Sequence, residues 1–328
     1  MESGTTGAIK VELFFIINEQ AGNGKGKKVW EKLRKELHTP FSFYITNHHG
    51  HATTIARKIA SNFQLTGQKI LLIAVGGDGT IHEVVNGVIG FNHVYVGAIG
   101  AGSGNDFSRE YFTFHTAYEI DEFIKGNEQS LQQFDSGMVK WSTGQSIHFV
   151  NNSGIGFDAF VAKLANHSTI KKRLNKMGLG KFSYVYFVLL GLFTFKLFTL
   201  TVEQNGSQRK YEKVWFATVS NQPYFGGGMK ISPQSDPMDG KLELTIVYNL
   251  SRLKLLLMFV TVFFGSHTRL QEVVQQKGDQ FTLYINDELP CHADGEVMGV
   301  TKNNSRIDYV VQKKSWMSIK RNSEFMKK

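Results

Sequence analysis

An unbroken apolar run, Ile70 to Val75, stops at Gly76-Gly77-Asp78-Gly79-Thr80, after which apolar residues return at Ile81, Val84, Val85, Val88 and Ile89. The run has the pattern of a strand covered on both faces, and the i, i+3, i+4, i+7, i+8 spacing is that of an amphipathic helix. A strand, a glycine turn and a helix start in that order form an anion site. Backbone N–H groups point outward there, backed by the positive end of the helix dipole. Glycine lets the chain approach a ligand with no Cβ in the way. Asp78 is the unusual member, because a carboxylate shares a phosphate cradle only with a cation between the two. The loop therefore reads as binding nucleotide phosphates with a divalent metal. An ordinary βα turn has the same local residues, and the spacing matches neither G-x-G-x-x-G nor GxxxxGK[ST].

Similar units flank this one. Val11 to Ile17 leads through Asn18-Glu19-Gln20-Ala21-Gly22-Asn23-Gly24 into a basic helix from Gly26 to Leu37. Phe41 to Thr46 precedes a helix from Gly50 to Asn62, and Val94 to Ile99 runs into Gly100-Ala101-Gly102-Ser103-Gly104-Asn105-Asp106-Phe107. Strands alternating with helices predict a parallel sheet with helices on both faces, and ligands sit beyond the carboxyl ends of such strands. Asn18, Thr46, Asp78 and Ser103 all fall just past those ends. After a helix at Glu119 to Lys125 the texture changes to alternating stretches: Asp135–Trp141, Ile147–Asn152, Leu200–Gln204, Lys213–Ser220, Leu242–Tyr248, Phe281–Ile285 and Arg306–Val311. Seven such stretches predict an antiparallel sandwich, with the boundary near Phe134.

A chain of 328 residues with 41% hydrophobic content and 5 prolines has room for two domains with cores of their own. The net charge of +9 points to an acidic partner, whether anionic lipid, phosphorylated substrate or nucleic acid. No nucleic-acid module accompanies the charge, which disfavours that last partner. Cys291 is the only cysteine, and Met1 to Gly7 lacks the basic-then-apolar order of a secretory signal, so a cytoplasmic protein is expected. Phe182 to Phe195 and Leu255 to Ser266 are apolar but too short to span a bilayer. With Lys171-Lys172-Arg173, Lys176 and Lys181 nearby, the first suits an anionic membrane surface as well as a domain core. Peripheral membrane association is the expectation.

The second half carries further motifs, each of which a plain turn also explains. Asn151 to Asp158 (NNSGIGFD) ends a strand and starts a helix, and Gly226-Gly227-Gly228 is a loop open to close approach. In Ser232 to Lys241 (SPQSDPMDGK), Asp236 and Asp239 are three apart in a turn, the oxygen donors that hard cations choose. Asp294-Gly295-Glu296 offers a carboxylate beside a glycine turn, a candidate general base when its surroundings tune it. His48, His49 and His51 fit no zinc pattern, and no G-x-S-x-G elbow is present.

In this order the motifs closely resemble those of the soluble bacterial diacylglycerol kinase family of lipid kinases, over about Val11 to Val311. Gly76 to Gly87 is similar to its GGDGT-xx-EVxNG signature, Thr46 with Gly50-His51-Ala52 to TxxxGHA, and Gly102 to Phe107 to G-T/S-x-ND-F. Asn151 to Asp158 resembles N-x-G-x-GFDA, Asn221 to Gly240 the N-x4-GGG…P…DG segment, and Asp294 to Glu296 the DGE. The resemblance implies an α/β N-terminal domain like phosphofructokinase and NAD kinase, residues 1–134 with 306–328 returning to it. It also implies an antiparallel β-sandwich over 135–305, with ATP in the cleft between the domains. Carried over residue by residue, Asn18, Glu19, Gln20, Ala21, Gly22, Thr46, Gly77, Asp78, Gly79, Thr80, Ile81, His82, Glu83 and Ser103 would hold ATP. Asp236, Asp239 and the backbone carbonyl of Lys241 would hold a structural Mg²⁺. Glu296 would take the proton from a lipid hydroxyl, with Asp78 supporting the catalytic Mg²⁺. The sequence departs from the family at Asn18-Glu19, where Asn-Pro is usual, and at Met238, which removes one carboxylate from the usual Asp-Asp-Gly. The expected activity is phosphoryl transfer from ATP to a lipid alcohol, diacylglycerol first. The alternatives are a sphingoid base or phosphatidylglycerol-like alcohol, an NAD kinase-like phosphotransferase, and a non-catalytic lipid-binding relative. A homodimer is compatible with all of them.

Overall fold

The computed structural model describes residues 11–102, 106–125, 131–141, 144–166 and 180–321. These form two compact units, one of residues up to Phe134 with those from Lys314 onward, the other Asp135–Lys313.

The first unit opens with β1 (Glu12–Ile17), α1 (Ala21–Glu36), β2 (Phe41–Ile45), α2 (His51–Phe63), β3 (Ile70–Gly76), α3 (Asp78–Val88) and β4 (Val94–Gly100). The short α4 (Asp106–Glu110) and α5 (Ala117–Ile124) follow. β2, β1, β3 and β4 lie side by side in that order, all parallel. Every residue of β3 is buried, as its unbroken apolar run requires. Phe15 and Trp30 pack at 5.0 Å in a core that also takes in Phe114 and Phe123. The first turn of α1 is interrupted at Gly22, Asn23 and Gly24, which adopt left-handed angles, so the regular helix follows them. The chain leaves this unit within β5 (Leu131–Trp141) and returns within β17 (Ser305–Ile319), whose Met317 and Ser318 pair parallel with Tyr95 and Val96 of β4. Residues 305–310 of β17 pair with a sandwich strand instead, so the return falls late in that strand.

The second unit contains β6 (Ser146–Phe149), β7 (Asn152–Gly156), α6 (Phe157–Asn166), α7 (Gly180–Thr194), β8 (Phe198–Gln204) and β9 (Ser207–Ser220). After these come β10 (Tyr224–Phe225), β11 (Met229–Lys230), β12 (Leu242–Tyr248), α8 (Arg252–Val262), β13 (Val273–Gly278), β14 (Gln280–Ile285), β15 (Pro290–Ala293) and β16 (Glu296–Val300). Its strand pairs are antiparallel. β9 joins two layers: residues up to Val214 pair with β8, while 216–220 lie between β7 and β12. The change falls beside Lys213, whose φ of +53 bends the strand. β13, β15 and β16 were not legible as alternating stretches, since VVQQKG, PCHA and EVMGV are short and mixed. Among the described residues, no helix is long and apolar enough to cross a membrane.

Candidate active site

At the carboxyl edge of the parallel sheet the strand ends are level. Ile17 stands opposite both Ile45 and Val75, and Val75 opposite Ile99. Asn18, Thr46, Gly77 and Ala101 therefore leave the sheet side by side. Each loop is tied to its neighbour through backbone: Thr46 N donates to Ile17 O, Asn18 N to Val75 O, and Ala101 N to Gly76 O. The glycines are needed because the loops touch. A Cβ on Gly102 would lie 2.7 Å from Gly77 Cα, and one on Gly22 would lie 2.1 Å from Ala101 O. Asn18 organises the first loop, accepting from Gln20 N at 3.1 Å and donating to Thr80 Oγ1 at 3.2 Å.

Helix α3 starts at Asp78 with an extended Gly77 before it, so its first N–H groups have no partner within the helix. Asp78 and Gly79 are partly exposed, whereas the side chains of Thr80, Ile81 and His82 are buried. The Asp78 carboxylate accepts from Phe107 N at 3.1 Å and Asp106 N at 3.4 Å, joining the third loop to the start of α4. Glu83 faces α2 and accepts from Gly50 N at 2.9 Å and Ala52 N at 3.0 Å, with His49 Nδ1 at 3.2 Å. Its carboxylate closes the open N-terminus of that helix. The two segments read separately in the sequence, Thr46 to Ala52 and His82 to Gly87, are thus one helix cap. Ser103 lies outside the described residues.

In the sandwich unit, the turn between β15 and β16 carries Asp294 in left-handed geometry, φ +48. Its buried carboxylate accepts three backbone donors, Val150 N (2.9 Å), Asn151 N (2.8 Å) and Asn152 N (3.0 Å). Glu296, two residues on, begins β16 half-buried, and its carboxylate makes no hydrogen bond or ion pair among the described residues. Asp158, at the start of α6, accepts from Thr218 Oγ1 at 2.8 Å and lies 3.0 Å from Nε2 of the fully buried His292. Gly154 sits under this group, where a Cβ would come within 2.3 Å of Asp158 Oδ2. Asp158 and Thr218 are the polar wall of a narrow, otherwise apolar pocket lined by Phe157, Phe216, Met258 and Phe259 and partly open to solvent. Burial pushes the nearby Cys291 thiol up to about 12, which leaves it an inert filler.

Residues 12–139 match the diacylglycerol kinase catalytic domain, and residues 152–309 match the YegS C-terminal NAD kinase beta sandwich-like domain. A candidate lipid kinase of Bacillus subtilis strain 168, YtlR, is 37% identical over 293 residues, covering 88% of this chain and 94% of its own. The chain belongs to the bacterial lipid kinase family. A diacylglycerol kinase of Mycobacterium tuberculosis strain CDC 1551 / Oshkosh is 26% identical, covering 70% of this chain and 74% of that one. The crystal structure of a candidate diacylglycerol kinase from Bacillus anthracis strain Sterne shares the fold, with a TM-score of 0.72, 21% identity, and 98% and 99% of the two chains covered. A phosphofructokinase- or NAD kinase-like α/β domain followed by an antiparallel sandwich is therefore the fold of this lipid kinase. Family membership implies phosphoryl transfer dependent on ATP and Mg²⁺.

Three contacts in this lipid kinase had no signature in the sequence: the three donors on Asp294, the His292–Asp158 pair, and the partner of Asp239. The last is Lys277, whose Nζ lies 2.6 Å from Asp239 Oδ2. Only Asp294 offered a local hint, since an Asp-Gly pair between strands favours left-handed geometry at the aspartate.

Proposed function

We propose that this chain phosphorylates the hydroxyl of a membrane lipid alcohol, diacylglycerol first, with ATP as donor. The observation that carries this reading is the apolar lining of the pocket in the sandwich unit, given one polar wall by Asp158 and Thr218. Its neighbours support delivery from a bilayer. On α8, Leu253, Leu257 and Val260 are exposed at helical spacing, and Phe264 just past its end is exposed by 78%, while Leu255, Met258 and Val262 face the core. On α7, Tyr186, Leu189, Leu190 and Phe193 form a second exposed stripe. Helices apolar on both faces satisfy the core and still present hydrocarbon to a membrane surface. The net charge of +9 suits an anionic one. The basic segment Lys171–Arg173 and Lys176 lies outside the described residues.

In this reading the glycine rim and the start of α3 hold the triphosphate, since oriented N–H groups meet charge without reorganising. The residues that would do so are those past the ends of β1, β2 and β3: Asn18 to Gly22, Thr46, and Gly77 to Thr80 with the backbone following. Mg²⁺ arriving with ATP would neutralise phosphate charge, and Asp78, whose carboxylate accepts from the start of α4, would be the acid to support it. Of the two acids in Asp294-Gly295-Glu296, Glu296 is the one whose carboxylate has no partner among the described residues. It accepts the proton of the lipid hydroxyl as that oxygen bonds to the γ-phosphorus and the β–γ bridging oxygen departs with ADP. Labelled ATP incubated with the enzyme and vesicles containing diacylglycerol is expected to yield labelled phosphatidic acid, with no label transferred to NAD. Label on NAD alone, or on no lipid of a whole extract, would end the reading. Label on a sphingoid base or on phosphatidylglycerol would keep the reaction and change the acceptor, because an apolar pocket discriminates weakly between chains.

A further inference from the structure

The lipid-kinase resemblance leads one to expect a divalent cation at the turn from Ser232 to Lys241, held by Asp236, Asp239 and the carbonyl of Lys241. The side chains at this turn are already engaged. Asp236 Oδ1 accepts Met238 N at 2.9 Å, which folds the carboxylate back onto its own loop. Asp239 Oδ1 accepts Lys241 N at 2.9 Å. Met238 stands where a further carboxylate is usual, and its thioether is a poor partner for a hard cation. Among the described residues, no three carboxylate, histidine or cysteine side chains converge as ligands.

A positive charge is nonetheless present, brought by another strand. Lys277 of β13 stands directly across from Glu243 of β12. Its Nζ lies 2.6 Å from Asp239 Oδ2 and 3.2 Å from Glu243 Oε1. Glu243 is buried, and its second oxygen accepts Ser232 Oγ at 3.1 Å. The ammonium thus joins the last part of the turn, through Asp239, to the acid that anchors its first residue, Ser232. Asp135 completes the frame: its N–H donates to Pro237 O at 2.7 Å and its Oδ2 accepts from Gly240 N at 2.7 Å. Every one of these residues belongs to the same compact unit.

We propose that Lys277 takes the place of the divalent cation, so that the 232–241 turn is ordered by an ammonium tethered to β13 and needs no metal. An ammonium supplies three donors and one charge on a flexible stem, which suits two carboxylate oxygens at 2.6 and 3.2 Å. Mg²⁺ in its place would ask for several oxygens at about 2.0–2.1 Å in near-octahedral array, and Met238 withholds one of the usual carboxylates. A tethered cation also spares the turn the entropy of capturing an ion. The proposal rests on the lipid-kinase reading only for the expectation of a metal here.

The test is thermal unfolding of the full chain without nucleotide, in EDTA or in excess MgCl₂, so that its outcome is independent of any lipid assay. Wild type is expected to melt at the same temperature in both. Lys277→Met should melt about 3 °C or more lower in EDTA, since a buried carboxylate loses its partner. Mg²⁺ should recover part of that loss. Asp239→Asn should also melt lower than wild type in EDTA. The proposal is overturned if Mg²⁺ raises the wild-type melting temperature and Asp239→Asn abolishes the rise, or if Lys277→Met melts like wild type in EDTA. Should Lys277→Met fail to fold, Lys277→Arg decides. It keeps the charge and is expected to fold without metal, and a requirement for Mg²⁺ in that variant would refute the idea.

Discussion

In the parallel-sheet unit the loops at the strand ends touch backbone to backbone, whereas in the sandwich unit the turn at Asp294 is gripped by a side chain. Gly22 and Gly102 leave no room for a Cβ and Gly77 leaves little, so the surface offered to a ligand is main chain held by contact. At Asp294 the reverse holds, because one carboxylate gathers three amides from the segment ahead of β7. The difference separates two jobs that a motif merges. Within Asp294-Gly295-Glu296 one acid braces and the other has no partner among the described residues, and in the GGDGT region Glu83 caps a helix while Asp78 stands at the start of another. Signature acids are therefore not interchangeable candidates for chemistry. The structure sorts them by how many donors each has already met.

The strongest way to break this contrast is to remove the brace. Asp294→Ala leaves three buried amides without an acceptor, and a loss on the order of 3 kcal/mol or more is expected in urea melts. A variant within about 1 kcal/mol of wild type would show that the carboxylate is dispensable to the turn. Glu296→Gln should do the opposite. Turnover on diacylglycerol vesicles is expected to fall about 10²-fold or more, with the melt unchanged and ATP still bound. Kinase activity like that of wild type would take Glu296 out of the reaction.

Smaller effects sharpen the glycine side. Gly102→Ala forces a Cβ to 2.7 Å from Gly77 Cα and is expected to cost about 1–3 kcal/mol, as overpacking does. Gly24, with φ +89 and nothing within 4 Å of an added Cβ, should cost only the left-handed penalty of about 1 kcal/mol when changed to Ala. Equal losses at the two positions would deny that loop contact is what selects glycine at the rim.

The smallest expected difference is one of pH. In the first unit burial raises the pKa of Asp121, but hydrogen bonds from Thr39 and His38 outweigh it and hold the carboxyl below 3.8. That contribution is present above pH 3.8 and is lost as pH falls through the lower folded value. In the second unit burial lowers the pKa of His267 below 6.5, partly offset by Ile231 O at 3.1 Å. The unfolded chain then takes up the proton first, so this contribution is complete above pH 6.5 and shrinks as pH falls below it. Melts recorded from about pH 8 to about pH 4 should show the sandwich losing stability before the parallel-sheet unit, as the reference values of 6.5 and 3.8 lie well apart. Replacing His267 by Gln should flatten the early loss, and an unchanged profile would assign it to other groups.

Much of this was written locally. The run from Ile70 to Val75, the glycines that follow and the apolar spacing after them placed a strand, a loop and a helix start, because periodicity and backbone freedom act over a few neighbours. Asn18, Thr46, Asp78 and Ser103 could be set on one rim for the same reason, since strand ends in a parallel sheet share an edge. What only the tertiary structure decided is which donors each acid meets. Asp294 finds its amides more than a hundred positions away, Asp158 meets His292 from the far end of the same unit, and Asp239 meets Lys277 across a strand that the sequence did not announce. Hydrogen bonds and ion pairs depend on a few ångströms of separation in space, and distance along the chain carries no record of that.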